Sequence, residues 1–281
     1  MTSKTESKWN GFSLKPRRDM PDGLWMRCSK CEQMLYRSTV AKNLDVCPEC
    51  ECHFRIDAKT RITTLADQGS FNECLSNMSS VDPLVFNFRG TTYKQRLKSD
   101  RAKSGQTEAL LAGKAFIKGR GLVLTVMEPN FLMGSMGAVV GEKFCTAVDL
   151  AMENDLPLVA ICASGGARMH EGVVSLGQMA KTSTALARFS DNGGLFITVL
   201  TDPTAGGVTA SFAMLGDITI AEPGALIAFA GRRTITETIR VELPEGFQTS
   251  EFLLDHGFID MIVPRRQLRS EIARLIDYCG R

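Results

Sequence analysis

The sequence predicts an α/β fold behind a small cysteine-rich module, and three observations carry that expectation. Two short apolar runs, Leu158 to Ala163 and Leu195 to Leu200, each lead into a turn with a glycine pair, Gly165-Gly166 and Gly206-Gly207. Apolar residues at helical spacing follow each pair, so the pattern reads strand, turn, helix, twice over. Near the N-terminus, four cysteines fall into two Cys-x-x-Cys pairs.

Composition sets the frame. The chain has 281 residues, 44% of them hydrophobic and 23% charged, enough for one large core with a small appendage. No apolar stretch reaches the roughly 20 residues that span a bilayer. The first residues, Met-Thr-Ser-Lys-Thr-Glu-Ser-Lys, lack the apolar centre of a secretory signal, so a cytoplasmic protein with no membrane partner is expected. If the source is a plant or alga, the plastid stroma is the corresponding compartment. Of nine cysteines only four have patterned spacing, and Cys145 and Cys162 sit inside apolar segments as buried hydrophobes, which suits a reducing environment. A net charge of +2 is too small to indicate a polyanion partner for the whole chain.

Taken in order, residues 1–23 are polar and show no hydrophobic period, so a disordered tail is expected. Residues 24–57 hold the module: Cys28 and Cys31, then Cys47 and Cys50. That spacing matches a four-thiolate zinc ribbon, each pair on a tight knuckle and both closing on one tetrahedral ion. With four thiolates the shell is full, so the zinc is expected to be structural. Cys52 and His53 lie nearby and are left outside the site. Lys15, Arg17, Arg18, Arg27, Lys30 and Arg37 surround the ribbon. They form either a solvated basic face or a weak nucleic-acid contact without sequence preference.

Residues 58–281 form the main domain. Ala58 to Gln68 reads as a short amphipathic helix, and Ser76 to Gly105 as a long irregular connection whose Tyr93-to-Arg96 stretch is a surface helix. Ala109 to Ile117 and Leu122 to Glu128 form a hairpin. The loop Pro129 to Gly137 is dense in glycine and methionine, and either packs under neighbouring helices or meets a ligand. Val139 to Met152 is helical, and a long helix is expected over 167–189. Helix 208–215, short strands at 217–221 and 225–230, helices at Thr234 to Val241 and Ser250 to Asp255, the apolar run Phe258 to Val263 and a last amphipathic helix from Leu268 to Tyr278 complete the alternation. Arg232 and Arg233 either hold a phosphate or line a solvated turn.

The glycine pairs carry the chemistry. Glycines at a strand–helix junction leave backbone N–H groups uncovered where donors lack intrahelical partners and the macrodipole is positive. Such a junction stabilises negative charge, either on a bound phosphate or on an oxyanion formed during reaction. Two junctions about forty residues apart suggest an enzyme that binds anions and thioester oxyanions through amides. His170 and Glu171 follow the first pair within the first helical turns and are expected on a helix surface, the alternative being an acid or base role beside the glycines.

The ordered series Gly134-Ser135-Met136-Gly137, Ser164 to Met169, Thr201 to Val208 and Ser211 to Asp217, behind the ribbon, resembles the β subunits of bacterial and plastid acetyl-coenzyme A carboxylase carboxyltransferases. The resemblance runs from about Trp25 to the C-terminal helix. It implies a crotonase-like ββα superhelix with an N-terminal four-cysteine zinc ribbon. It also implies an α2β2 assembly with a carboxyltransferase α subunit, working with biotin carboxylase and with biotin on a separate carrier protein. The reaction implied is carboxyl transfer from carboxybiotin to acetyl-CoA, giving malonyl-CoA for fatty-acid synthesis. On this resemblance Gly165 and Gly166 supply the oxyanion donors, and Gly206 and Gly207 bind substrate. His170 stands where the motif carries glutamine, which argues against an essential histidine.

Overall fold

The computed structural model describes residues 23–280; the rest of the tail expected over residues 1–23, and Arg281, lie outside the described residues. The ribbon comprises an antiparallel pair, β1 (Trp25–Arg27) and β2 (Met34–Tyr36), and the short helix α1 (Arg37–Lys42). Next come α2 (Ala58–Leu65), whose first turn is capped by Asp57 accepting from the Thr60 N–H, and β3 (Asn72–Cys74). A two-stranded ribbon, β4 (Asn87–Phe88) and β5 (Thr91–Thr92), leads into α3 (Tyr93–Ser104). The surface helix expected at Tyr93 to Arg96 within the connection over 76–105 is longer, twelve residues to Ser104. Its start is a reciprocal cap between Thr92 and Gln95, and its end is Gly105 in the left-handed region. Almost every other position in α3 is polar, which conceals its buried stripe of Tyr93, Leu97 and Asp100.

The expected hairpin is β6 (Leu110–Ile117) and β7 (Arg120–Met127), paired antiparallel along their full length. Helix α4 (Ala138–Glu153), strand β8 (Leu158–Ser164), helix α5 (Val173–Asp191), strand β9 (Phe196–Ala205) and the four-residue helix α6 (Gly206–Thr209) follow. The chain ends with β10 (Ile218–Ala221), β11 (Ile227–Ala228), α7 (Arg232–Ile239), α8 (Ser250–Asp255), β12 (Met261–Ile262) and α9 (Arg265–Tyr278). Arg232 and Arg233 open α7; Arg233 pairs with Glu237 in solvent.

One eight-stranded sheet organises the main body, in the order β12-β10-β9-β8-β7-β6-β3, with β11 beside the end of β9. Strands β7, β8, β9, β10 and β12 run parallel, while β6 and β3 add an antiparallel edge. Helices cover both faces, which is why β8 is buried at all seven positions and reads as a continuous apolar run. On one face α4 and α5 pack over the sheet, with Phe144 stacked on Phe212 at 4.3 Å between ring centroids. On the other, Leu268, Ile272 and Ile276 of α9 join Ile62 and Leu65 of α2. Both glycine pairs lie at the C-terminal ends of parallel strands, where open α/β sheets hold their ligands. Among the described residues no helix is long and apolar enough to cross a membrane.

Candidate active site and metal centre

The four ribbon cysteines converge. Their sulfurs all lie within 4.8 Å of one another, with Cys28 Sγ 3.6 Å from Cys50 Sγ and Cys31 Sγ 3.8 Å from Cys47 Sγ. Zinc–thiolate bonds of about 2.3 Å in a tetrahedron place sulfurs about 3.8 Å apart, so this cage has the size zinc requires. Against the upward push of burial, the amides of Cys31 and Lys30 bring the Cys28 thiol down to about 6, towards the thiolate that a metal binds. Cys52 and His53 remain outside the cage. Metal analysis should return one zinc per chain, lost in Cys47→Ser. A zinc-free protein with its ribbon still folded would refute the assignment.

His53 faces the main body instead, with Nδ1 3.6 Å from Glu222 Oε2. Glu222, buried at the end of β10, accepts from Arg61 Nη1 at 2.5 Å, and from Arg265 Nε and Nη2 at 2.8 Å each. Burial would raise its pKa, but Arg61 and Arg265 hold the carboxyl well below the usual range. Arg265 also donates to the C=O groups of Leu44, Asp45 and Phe54. One ion cluster thus joins the ribbon, α2, α9 and the sheet.

The two glycine pairs, distant in sequence, meet in space. A side chain at Gly166 would lie 3.1 Å from Gly206 Cα and 3.3 Å from Gly207 N. Both Gly166 (φ +110°) and Gly206 (φ +59°) occupy backbone that favours glycine. The Thr201 and Thr204 hydroxyls hold the strand ends together by donating to the Cys162 C=O at 2.7 and 3.1 Å.

The first junction departs from expectation. Helix α5 starts at Val173, not at residue 167, because residues 166–172 are drawn into other bonds. Met136 bridges to Ala167: its N–H donates to the Gly166 C=O at 2.8 Å, and its C=O accepts from the Arg168 N–H at 2.9 Å. A single 3-10 turn, Met169–Glu171, then precedes Gly172. The amides of the first pair are engaged internally: the Gly165 N–H donates to the Met133 C=O at 2.8 Å, and the Gly166 N–H to Ser164 Oγ at 3.0 Å. Ser164 Oγ in turn donates to the Gly134 C=O at 2.7 Å. At the second junction α6 begins directly on Gly206-Gly207, and the first amides of a helix have no intrahelical acceptor.

Arg168 binds this region together. Its guanidinium is buried and donates to Glu108 Oε1 at 2.5 Å, the Ser135 C=O at 2.7 Å, Ser80 Oγ at 2.9 Å and Tyr93 Oη at 3.2 Å. Ser80 donates its hydroxyl to Glu108 Oε2. Burial alone would raise the Glu108 pKa, but Arg168 lowers it. Glu171, expected on a helix surface, is buried: it accepts from Tyr93 Oη at 2.7 Å and from the Ala138 N–H at 2.6 Å. Tyr93, expected on the surface, is completely buried. His170 stacks on Tyr93 with ring centroids 5.0 Å apart, and burial followed by the charge of Arg168 lowers its pKa. In the methionine-rich loop, Leu132 and Met136 are core, while Met133 is exposed beside Gly165.

Comparison with known proteins places this geometry. The family described as "Acetyl-CoA carboxylase zinc finger domain" matches residues 25–50, and the family described as "Carboxyl transferase domain" matches residues 58–249. The acetyl-coenzyme A carboxylase carboxyl transferase subunit beta of Rhodopirellula baltica is 50% identical over 266 residues, covering 94% of this chain and 85% of its own. The chain belongs to this β-subunit family. The corresponding Clostridium botulinum subunit is 52% identical over 258 residues, covering 92% of this chain and 88% of its own. The fold agrees with transcarboxylase 12S (TM-score 0.66, 23% identity, 79% of this chain and 40% of that one). It agrees equally with a Pseudomonas malonate decarboxylase hetero-tetramer (TM-score 0.66, 20% identity, 85% and 87%). This family member is therefore a carboxyltransferase-type enzyme of biotin-dependent CoA carboxylation, with the crotonase-like fold and a zinc-binding cysteine cluster.

Proposed function

We propose that the chain is the β subunit of an acetyl-CoA carboxylase carboxyltransferase, with the ribbon over residues 24–57 and the transferase domain over 58–281. The observation that carries the site reading is the contact between Gly165-Gly166 and Gly206-Gly207. Removing a proton from the acetyl methyl group places charge on the thioester oxygen, and convergent amides lower that barrier without ionising any side chain. In this reading the oxygen is received where the pairs meet. The Gly166 N–H, now held by the hydroxyl of Ser164, turns to the substrate, opposite the Gly207 N–H in the first turn of α6. Gly165, bonded to Met133, shapes the turn, and Gly206 supplies the close approach. The carboxyl group comes from carboxybiotin on a carrier protein, itself charged by biotin carboxylase. Glu171 and His170 are committed to Tyr93, so this chain's part is to bind and orient the thioester and stabilise its charge.

A homologous α subunit completes the enzyme in an α2β2 assembly; a Clostridium tetani relative named "subunits beta/alpha" supports such pairing, with 50% identity over 92% of this chain and 44% of its own. Purified alone, the β chain should be inactive or nearly so. With an α subunit and carboxylated carrier it should form malonyl-CoA, faster from acetyl-CoA than from longer acyl-CoAs. Hydration of enoyl-CoA without biotin would overturn this reading. The basic ribbon face should retain random-sequence RNA only weakly, with retention falling steeply as salt rises.

A further inference from the structure

The segment leaving the ribbon passes the C-terminal ends of the strands before α2 begins. Phe54 is fixed from both sides: its N–H donates to the Asp45 C=O at 2.9 Å, and its C=O accepts from Arg265 Nη2 at 2.9 Å. The next residue, Arg55, donates from Nε to Asp202 Oδ2 at 3.0 Å. The other oxygen of Asp202, Oδ1, accepts the Leu226 N–H at 3.2 Å, and the Leu226 C=O accepts the Thr204 N–H at 2.8 Å. Thr204 and Ala205 pair with Ile227 and Ala228, and Gly206 follows directly.

We propose that Asp202 is a positioning residue for the Gly206-Gly207 turn, and that the zinc ribbon sets its orientation through Arg55. This rests on the reading of that turn as part of the thioester site. The Arg55 and Asp202 side chains are 59% and 34% exposed, and pairs in such a setting contribute little net stability. The consequence of the pair is geometric. With Oδ2 held by Arg55, Oδ1 faces Leu226, and the strand pairing that ends at Ala205 keeps one register. A donor displaced by about 1 Å costs on the order of a hundredfold in rate, although no atom of Asp202 touches the reacting group.

The test compares Asp202→Ala, Asp202→Asn and Arg55→Ala in the α-reconstituted enzyme, with zinc content, thermal unfolding and amide hydrogen exchange at residues 204–208. Asp202→Ala should lower kcat about ten- to hundredfold while KM for acetyl-CoA stays within about threefold, because the lost alignment acts in the transition state. Asp202→Asn keeps one acceptor for the Leu226 N–H but none for Arg55, so its kcat should fall several-fold, as in Arg55→Ala, and stay above that of Asp202→Ala. Arg55→Ala should lower kcat several-fold with zinc and thermal unfolding unchanged. Exchange at residues 204–208 should quicken most in Asp202→Ala, and to a lesser and similar extent in Arg55→Ala and Asp202→Asn. Parent kcat and parent exchange in Asp202→Ala would overturn the proposal, as would an asparagine variant no better than alanine. Should Asp202→Ala fail to fold, exchange and kcat in the other two variants decide. A parent enzyme that makes no malonyl-CoA contradicts the site reading, and exchange then judges the positioning role by itself.

Discussion

Arg168→Met should destabilise the protein by about 3–5 kcal/mol at neutral pH, the range for removing one partner of a buried ion pair. Methionine fills much of the volume but leaves Glu108 buried and charged, and it strands the Ser135 C=O and the Tyr93 hydroxyl without their donor. The loss should depend on pH. In the parent, Arg168 lowers the folded pKa of Glu108 below its ordinary value of 4.5, so this stability is present above about pH 4.5 and fades as pH falls through the folded value. In the variant only the Ser80 hydroxyl and the Ala109 N–H still oppose burial, which therefore raises the Glu108 pKa relative to the parent. Its penalty is then largest at neutral pH and shrinks as acid protonates the carboxyl. Urea unfolding of parent and variant at pH 7.5 and pH 5 measures both effects. A neutral-pH loss below about 1 kcal/mol would place the cluster among ordinary surface pairs.

Gly166→Val should slow malonyl-CoA formation by at least about a hundredfold, the typical cost of one aligned oxyanion donor. The structure adds a second penalty. At φ +110°, with Gly206 Cα 3.1 Å and the Ala205 C=O 3.2 Å from the position a Cβ would take, valine strains its own backbone and pushes the two turns apart. Strain of this kind costs about 1–3 kcal/mol, so the variant should fold with a lowered melting temperature rather than at the parent value. Gly165→Ala is the contrast. Its added methyl meets the flexible end of Met133 at 3.0 Å and its φ is ordinary, so turnover near the parent rate is expected. Kinetics of both variants with the α subunit, beside thermal unfolding, separate the roles. A fully active, assembled Gly166→Val would leave the pair a packing role only.

The zinc cage was legible because its four ligands lie within 23 residues and their spacing is itself the geometry. The strands beside the glycine pairs were legible because burial on both faces leaves continuous apolar runs. Arg168 and its partners carried no comparable signal. Ser80, Tyr93 and Glu108 stand 88, 75 and 60 residues away, and a lone arginine after a glycine pair looks like any solvated one. Tyr93 was hidden by the polar face of α3, and Glu171 by a helical periodicity extended back across residues that form a 3-10 turn. The contact between the glycine pairs is likewise a product of adjacent parallel strands, not of any local pattern.

The ion cluster at Glu222 also dictates an order of assembly. The ribbon leaves the ribosome before the transferase domain and its four sulfurs need only each other and a metal, so zinc loading requires nothing downstream. Docking cannot happen then. It needs Glu222 at the end of β10 and Arg265 at the start of α9, both made well after the ribbon. During synthesis the charged module must therefore travel undocked, while Arg61 and the C-terminal ends of β7, β8 and β9 remain uncovered. Arg265, at the start of α9, is the last member of the cluster to be made and the one that ties the ribbon to Glu222.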